Sequence, residues 1–211
     1  MPDGAGVFTD PVPLEFSLTY DYRCPFARIA HDHVVTALRA GADWNVKFVP
    51  LSLGQLHVAD GEPDIWDIPG ADKGLYALQA SVAVRELMPD RFVDVHHALF
   101  DARHRDGLRL ADEPDIRKVL DSEGVDPEPV FAEMASGRPL ALVRAGHEAA
   151  VSDFGVWGVP TFIREDRAVF VRLMSGPDRD AVAARSTVER VLHLMDDFVD
   201  LNEFKHTRIP R

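Results

Sequence analysis

Two apolar runs separated by a helical pattern open the chain. Residues 14–20 are apolar and β-branched, which predicts a strand, and residues 44–51 predict a second one. Between them, apolar residues recur at helical spacing over residues 24–40, with Pro25 in the first turn and Gly41 just after the last. The order strand, helix, strand predicts a βαβ unit with two parallel strands.

The middle of the chain is predicted to be mainly helical. Residues 52–71 are polar and rich in glycine, proline and aspartate, so they predict a loop, with Ile65, Trp66 and Ile68 as its apolar anchor. Helical spacing of apolar residues then resumes. The predicted helices span residues 72–88, 89–105, 112–123, 126–136 and 138–153. The residues predicted to start or stop these helices are Asp112, Asp126, Gly107, Gly124, Gly137 and Gly155.

Strand patterns return near the C-terminus. Residues 161–164 and 168–174 are β-like runs, and the polar residues 165–167 between them predict the turn of an antiparallel hairpin. Residues 178–202 predict a long amphipathic closing helix. The resulting order, βαβ, helical insertion, ββα, predicts an α/β protein in which an all-helical subdomain interrupts one sheet.

The same pattern predicts the domain boundaries. We place the sheet domain at residues 14–64 and 156–204, and the helical insertion at residues 65–155. Residues 1–13 and 205–211 are expected to be tails.

Composition narrows the expected partners and compartment. A formal net charge of −12 would repel a phosphate backbone, so no nucleic-acid partner is expected. No apolar run approaches the ~20 residues of a membrane span, and no signal-peptide pattern opens the chain, so neither membrane insertion nor secretion is expected. A single cysteine excludes an intrachain disulfide and favours the cytoplasm. Arginine outnumbers lysine 19 to 4, a bias that favours a bacterial source.

The candidate reactive residue is Cys24, which stands where the first strand hands over to the first helix. Unpaired N–H groups and the helix dipole stabilise a thiolate at such a position, and Arg23 and Arg28 would add positive charge. We therefore expect a lowered pKa for Cys24 and a nucleophilic sulfur. The competing interpretation is a small buried apolar residue, the usual state of a lone cysteine.

Two segments together resemble a known family. The segment FSLTYDYRCPFARIA, a helical insertion and GVWGVPTFI at residues 155–163 are similar to DsbA-like thioredoxin-fold proteins. Relatives of that family include FrnE-type proteins, kappa-class glutathione transferases and 2-hydroxychromene-2-carboxylate isomerases. The resemblance covers nearly all of residues 14–204, and it implies a thioredoxin-like fold and thiol–disulfide chemistry.

The resemblance also implies the site residues. The family's proline that matches Pro160 is cis and lies against the cysteine, which leaves the backbone of Val159 free to pair with a bound peptide or thiol. The alternative is a trans Pro160 that starts a strand. The predicted catalytic residue is Cys24; the predicted substrate- or thiol-binding residues are Pro25, Phe26, Trp157, Val159, Pro160 and Thr161. Of these, Phe26 and Trp157 either line the pocket or belong to the core.

The chain departs from the family's dithiol pattern at one position. Ala27 stands where dithiol members have their second cysteine, so disulfide donation in the manner of DsbA is excluded. We expect a cytoplasmic monothiol oxidoreductase in which Cys24 attacks a disulfide or an electrophile. The expected partners are a protein disulfide, a low-molecular-weight thiol or a small electrophile. An external thiol would clear the adduct. No permanently bound cofactor is expected; glutathione or mycothiol is the candidate thiol, and a homodimer stays open.

Two other functions stay open. One is a transferase or isomerase that uses bound glutathione or mycothiol, although the kappa-class and isomerase branch has serine at the position of Cys24. The other is a redox-inactive binding protein, for which Ala27 is the motivation. His97, Asp101 and His104 recur at helical spacing, but we expect no metal site, because histidines beside acids are common on acidic helices.

Overall fold

The computed structural model describes residues 13–208, and its centre is a four-stranded sheet in the order β2–β1–β3–β4. The strands are β1 (Leu14–Tyr20), β2 (Trp44–Pro50), β3 (Thr161–Arg164) and β4 (Arg167–Phe170). β1 is parallel to β2 and antiparallel to β3, and β3 and β4 form an antiparallel hairpin. The predicted βαβ unit and hairpin are confirmed.

Residues 13–208 also contain eight α-helices. They are α1 (Pro25–Arg39), α2 (Leu53–Leu56), α3 (Leu75–Leu87), α4 (Pro89–His104), α5 (Glu113–Ser122), α6 (Pro127–Ala135), α7 (Arg138–Phe154) and α8 (Ala181–Asp197). The run from α3 to α7 confirms a helical insertion in an α/β sheet; its boundaries at residues 65 and 155 stay a prediction. Residues 1–12 and 209–211 of the predicted tails lie outside the described part of the chain. None of the helices described is long and apolar enough to span a membrane.

The stretch at 52–71 is more structured than its composition predicts. The Ser52 hydroxyl accepts a hydrogen bond from the backbone N–H of Gln55 and caps the single turn of α2. A 3₁₀ turn then spans Ile65–Asp67, with Ile65 in the core. A capping side chain and a buried apolar anchor thus help to order this short polar segment.

The C-terminal elements are shorter than predicted. Arg167 pairs with Arg164 inside the hairpin, so β4 begins one residue earlier than expected, and it ends at Phe170 instead of residue 174. Helix α8 spans Ala181–Asp197 instead of residues 178–202. Asp178 and Arg179 have φ values of 47° and 66°, which no right-handed helix contains. The Asp180 carboxylate accepts from the next backbone N–H groups and starts the helix there.

Helix α1 packs against β1, α4 and α8. Its buried apolar residues are small or branched and almost fully buried. These residues are Ala27, Ala30, Val34, Val35 and Ala37. Small side chains allow the neighbouring elements to approach closely, so the start of α1 is held in a fixed position.

Candidate functional site

Cys24 is the N-cap residue of α1, with an extended backbone at φ −88° and ψ 117°. Its Sγ accepts from the backbone N–H of Ala27 at 3.4 Å and lies 3.3 Å from the carbonyl oxygen of Val159, to which the thiol donates. The side chain is half-buried, so the sulfur is not enclosed in the core as the competing interpretation required. The thiol is therefore partly exposed and lies between the start of α1 and a loop that is distant along the chain but close in space.

The loop that reaches Cys24 contains a cis peptide bond between Val159 and Pro160. Both residues are buried, as is Thr161. The backbone N–H of Thr161 donates to the Thr19 hydroxyl at 2.8 Å, and the Thr161 hydroxyl donates to the carbonyl of Gly158 at 2.8 Å. These bonds attach the loop to β1 and fix the Val159 carbonyl over the sulfur.

The pKa of Cys24 is raised above that of an ordinary thiol, so the expected lowering is wrong. Burial is the largest cause, because it disfavours the charged thiolate. The charge of Asp21 also raises the pKa. The N–H groups of Ala27 and Phe26 and the charge of Arg172 lower it, but they do not outweigh burial. The hydrogen bond from the thiol to Val159 agrees with a protonated resting state.

Arg23 and Arg28, the two arginines near Cys24 in sequence, do not supply their charge to the sulfur. The Arg23 guanidinium binds Asp21 at 2.6 Å and Asp72 at 2.8 Å. The Arg28 guanidinium binds Asp101 at 3.1 Å. Because carboxylates neutralise both, the sequence-based expectation counted charges that the fold pairs elsewhere.

The Arg23 pairs belong to a network that supports the loop before α1. The Asp21 side chain is 1% exposed and accepts from the backbone N–H groups of Arg23 and Leu53, both at 2.9 Å. Asp72 accepts from the Ser52 hydroxyl at 3.2 Å. The network joins the Cys24 loop to the starts of α2 and α3. Sequence reasoning missed this network; its only signal was the presence of Asp21 and Asp72.

A chain of buried hydrogen bonds lies behind the site. The His31 ring contacts the carbonyl oxygen of Thr19 through Nε2 at 3.2 Å and the His96 Nε2 through Nδ1 at 2.9 Å. His96 Nδ1 in turn lies 2.7 Å from the Tyr22 hydroxyl. A carbonyl only accepts, so His31 donates to Thr19, His96 donates to His31, and Tyr22 donates to His96.

Both histidines in this chain of hydrogen bonds, His31 and His96, are neutral at pH 7. Burial lowers the pKa of His31 to about 4 and the pKa of His96 well below its ordinary value. The chain holds β1, α1 and α4 together through Thr19, the same residue whose hydroxyl fixes Thr161. Only the histidines themselves are visible in the sequence, because their hydrogen-bond partners are distant along the polypeptide.

An aromatic and cationic rim lies beside the thiol. Trp157 is 68% exposed and its ring centroid lies 4.4 Å from that of Phe170, so Trp157 is not a core residue. The Arg172 guanidinium carbon lies 5.3 Å from the ring centroid of half-buried Phe26 and 6.0 Å from that of Phe170. Pro25 is exposed at the start of α1. The structure brings the predicted site residues to one region; their roles in binding stay predictions.

The histidine and acid cluster considered for a metal is arranged differently from its sequence spacing. The His104 Nε2 donates to the carbonyl oxygen of Tyr22, and His104 does not join His97 and Asp101. Asp32 does, and the three possible ligand atoms lie within 4.8 Å of one another. Arg28 and Arg105 each bind Asp101 at 3.1 Å, so arginine cations already neutralise this carboxylate.

The model of the DSBA-like thioredoxin domain matches residues 17–181, which is more than half of the chain. No curated protein matches the sequence.

Solved structures share the fold at low sequence identity. The structure of Pseudomonas aeruginosa DsbA is 20% identical, with a TM-score of 0.54 over 87% of this chain and 88% of that one. The thiol-disulfide exchange protein alpha-DsbA2 from Wolbachia pipientis is 17% identical, with a TM-score of 0.55 over 87% of this chain and 84% of that one. The catalytic domain of Proteus mirabilis ScsC is 16% identical, with a TM-score of 0.57 over 86% of each chain.

The matched residues include the cysteine at the start of α1 and the loop at Pro160, and the sheet and helical insertion are those of the solved relatives. The chain therefore belongs to the family of proteins with a DSBA-like thioredoxin domain.

Proposed function

We propose that this protein catalyses thiol–disulfide exchange in the cytoplasm through Cys24 alone, with an external thiol completing the cycle. The observation that carries the proposal is the position of the only cysteine, half-buried at the N-cap of α1 and in contact with Val159. The family match supports the reaction class. Ala27, fully buried where a second thiol would be needed, supports the one-cysteine route.

The reaction has two exchange steps. In the first, the Cys24 thiol loses its proton to solvent and the thiolate attacks one sulfur of a substrate disulfide; a mixed disulfide forms and the other sulfur leaves as a thiolate. In the second, an external thiolate attacks the substrate sulfur of the mixed disulfide, and Cys24 leaves as a thiolate that is reprotonated. No net oxidant or reductant is consumed, because one disulfide is exchanged for another.

The raised pKa of Cys24 affects which thiol–disulfide reaction this site favours. A strongly oxidising family site depends on a stabilised thiolate in the reduced form. At Cys24 burial outweighs that stabilisation, and a thiol of high pKa is a poor leaving group, so its mixed disulfide is expected to persist. This favours an exchange or adduct-holding protein over a donor of disulfides.

The proposed substrates are protein disulfides and the disulfides of small thiols, with a small electrophile as a further reactant of the same sulfur. Glutathione or mycothiol is proposed as the external thiol. The exposed Trp157 ring, which packs on Phe170, supports a substrate with an apolar part, because exposed apolar surface often marks a contact site.

The test is intact mass spectrometry after treatment with oxidised glutathione. Wild-type protein is expected to gain the mass of one glutathione at Cys24 and to lose it on addition of a free thiol. Cys24→Ser is expected to gain none. Unmodified wild-type protein under conditions that modify the unfolded chain would overturn the proposal.

The raised pKa of Cys24 also favours a second candidate, a redox-inactive binding protein that uses the surface around Cys24 and Trp157 for a partner. A folded protein whose thiol forms no adduct would support this candidate. Saturable binding of reduced glutathione that persists in Cys24→Ser would instead support a transferase or isomerase that uses the thiol as a co-substrate.

A further inference from the structure

We propose that Arg172 makes this site selective for disulfides that carry a carboxylate close to the reacting sulfur. The inference rests on the proposed function and adds the chemical class of its substrate. Arg172 follows β4 and lies near the start of α1 through its contact with Phe26, the second residue after Cys24.

The guanidinium is held beside the thiol by aromatic rings. Its central carbon lies 5.3 Å from the Phe26 ring centroid and 6.0 Å from that of Phe170, both within the range of a cation–π contact. Phe170 packs on the exposed ring of Trp157 at 4.4 Å. A long side chain that would otherwise move freely is therefore placed at one side of the sulfur. Its charge also reaches Cys24, since it is among the groups that lower the pKa of that thiol.

Arg172 differs from the other two arginines near the site in having its charge available. Arg23 binds Asp21 and Asp72, and Arg28 binds Asp101. Within residues 13–208, no carboxylate lies within 4.0 Å of the Arg172 guanidinium, and the residue is exposed. A fixed guanidinium without a carboxylate partner is suited to bind one from a ligand, because its N–H groups match the two carboxylate oxygens.

The overall charge of the protein makes this local cation more significant. With a net charge of −12, most of the surface repels an anionic disulfide. An anion that reaches the rim meets a positive group next to the nucleophile. Arg172 is expected to orient such a substrate with its sulfur toward Cys24.

The experiment compares three disulfide probes of different charge. Oxidised glutathione is anionic, hydroxyethyl disulfide is neutral and cystamine is cationic. The second-order rate constant for adduct formation on Cys24 is measured for wild type, Arg172→Gln and Arg190→Gln. Arg190 is an exposed arginine on α8 without an ion pair among the described residues, so this control makes the same charge change at another place.

The ratio of rate constants between probes is the readout, because a change in the pKa of Cys24 alters all three rates alike. Arg172→Gln is expected to lower the rate constant for oxidised glutathione relative to that for hydroxyethyl disulfide by about three- to fivefold, the range of an exposed ion pair. It is expected to raise the rate constant for cystamine relative to that for hydroxyethyl disulfide. Arg190→Gln is expected to leave both ratios within error. Equal ratios in all three proteins would overturn the inference.

A carboxylate beside a sulfur occurs both in small thiols and in acidic peptides. Mixed disulfides of two short peptides, with aspartate or asparagine next to the cysteine, separate these sources. Selection for the aspartate peptide that depends on Arg172 indicates a protein substrate, and selection confined to oxidised glutathione indicates a small thiol. If wild type reacts with no probe, the proposed function itself fails; if it reacts with all three without regard to charge, only the role of Arg172 fails.

Discussion

The carbonyl oxygen of Val159 lies 3.3 Å from the Sγ of Cys24, although the two residues are 135 positions apart in the chain. The contact joins the start of the first helix to the loop before β3. A carbonyl at this distance accepts from a thiol and offers nothing to a thiolate. The helix start alone would stabilise the anion, but the fold also supplies burial and an acceptor for the proton.

The first prediction concerns the pH dependence of Cys24 alkylation. Because burial raises the pKa of this thiol, the folded protein is expected to react with iodoacetamide more slowly than the unfolded chain at pH 7. The rate should continue to rise at pH values where the unfolded chain has reached its plateau. Stopped alkylation with mass detection gives both profiles from the same cysteine.

The unfolded wild-type chain is the matched control, since it contains the same single thiol with an ordinary environment. A folded protein that reacts faster than the unfolded chain at pH 6 would show a lowered pKa. That result would contradict the dominance of burial.

The second prediction restores the missing thiol. The backbone N–H of Ala27 lies 3.4 Å from the Cys24 sulfur, so a side chain at this position starts close to it. Ala27→Cys is expected to form an intrachain disulfide on oxidation and to release a bound glutathione without an external thiol. Free-thiol counting and intact mass follow both changes.

Ala30→Cys is the control for this variant. Ala30 is as fully buried in α1 as Ala27, but it lies almost one helical turn further from the N-cap. It should keep two free thiols and retain the adduct on Cys24. Equal behaviour of the two variants would show that proximity to the sulfur is not what matters.

The parts of this molecule that sequence predicts well are those with local causes. Cys24 and Pro25 at a strand-to-helix junction, and the Gly-Val-Pro-Thr segment, are recognisable from neighbouring residues alone. The strands and main helices follow from periodicity and from capping residues such as Asp112 and Asp126, both of which cap helices in the structure.

The features that sequence reasoning missed have distant causes. The pKa of Cys24 depends on how deeply the fold buries it, and no local pattern records that. Arg23 is adjacent to Cys24 in sequence, yet its charge is neutralised by Asp72 from another loop. The contact of His31 with His96 likewise joins two helices 65 positions apart.

The third prediction concerns Gly74, where a Cβ atom would lie 2.4 Å from the guanidinium carbon of Arg23. Its backbone, at φ −64° and ψ −22°, is one that alanine adopts freely, so the only obstacle is this contact. Gly74→Ala is expected to displace Arg23 from Asp21 and Asp72. A loss of about 1–3 kcal/mol in the free energy of unfolding is expected from the broken buried network.

Gly146→Ala is the control on α7, where the added Cβ would meet Pro50 at 3.4 Å, an ordinary contact. It is expected to leave stability unchanged or to raise it by up to about 1 kcal/mol, since alanine favours a helix. Urea unfolding measures both variants. Equal stability of the two would contradict a structural role for the Arg23 pairs.

The fourth prediction concerns acid stability. His31 has a pKa of about 4 in the folded protein and an ordinary value of 6.5, so the unfolded chain binds the extra proton first as pH falls. The free energy of unfolding is therefore not reduced by His31 above pH 6.5, and it decreases as pH falls from there toward 4. From this residue alone, the loss is on the order of 2 kcal/mol at pH 5.

Urea unfolding at pH 7, 6 and 5 compares wild type with His31→Gln and His193→Gln. His31→Gln is expected to be less stable at pH 7 but to lose less on acidification. His193 is exposed on α8, and its replacement should preserve the wild-type dependence on pH. The same acid slope in all three proteins would remove the assignment of this effect to the buried chain.

The role of Cys24 is decided by steady-state turnover of hydroxyethyl disulfide with reduced glutathione, measured for wild type, Ala27→Ser and Cys24→Ser. Wild type and Ala27→Ser are expected to catalyse this reaction, with a mixed disulfide on Cys24 trapped during turnover, and folded Cys24→Ser is expected to show no catalysis. Turnover by Cys24→Ser at the wild-type rate would contradict the proposed reaction.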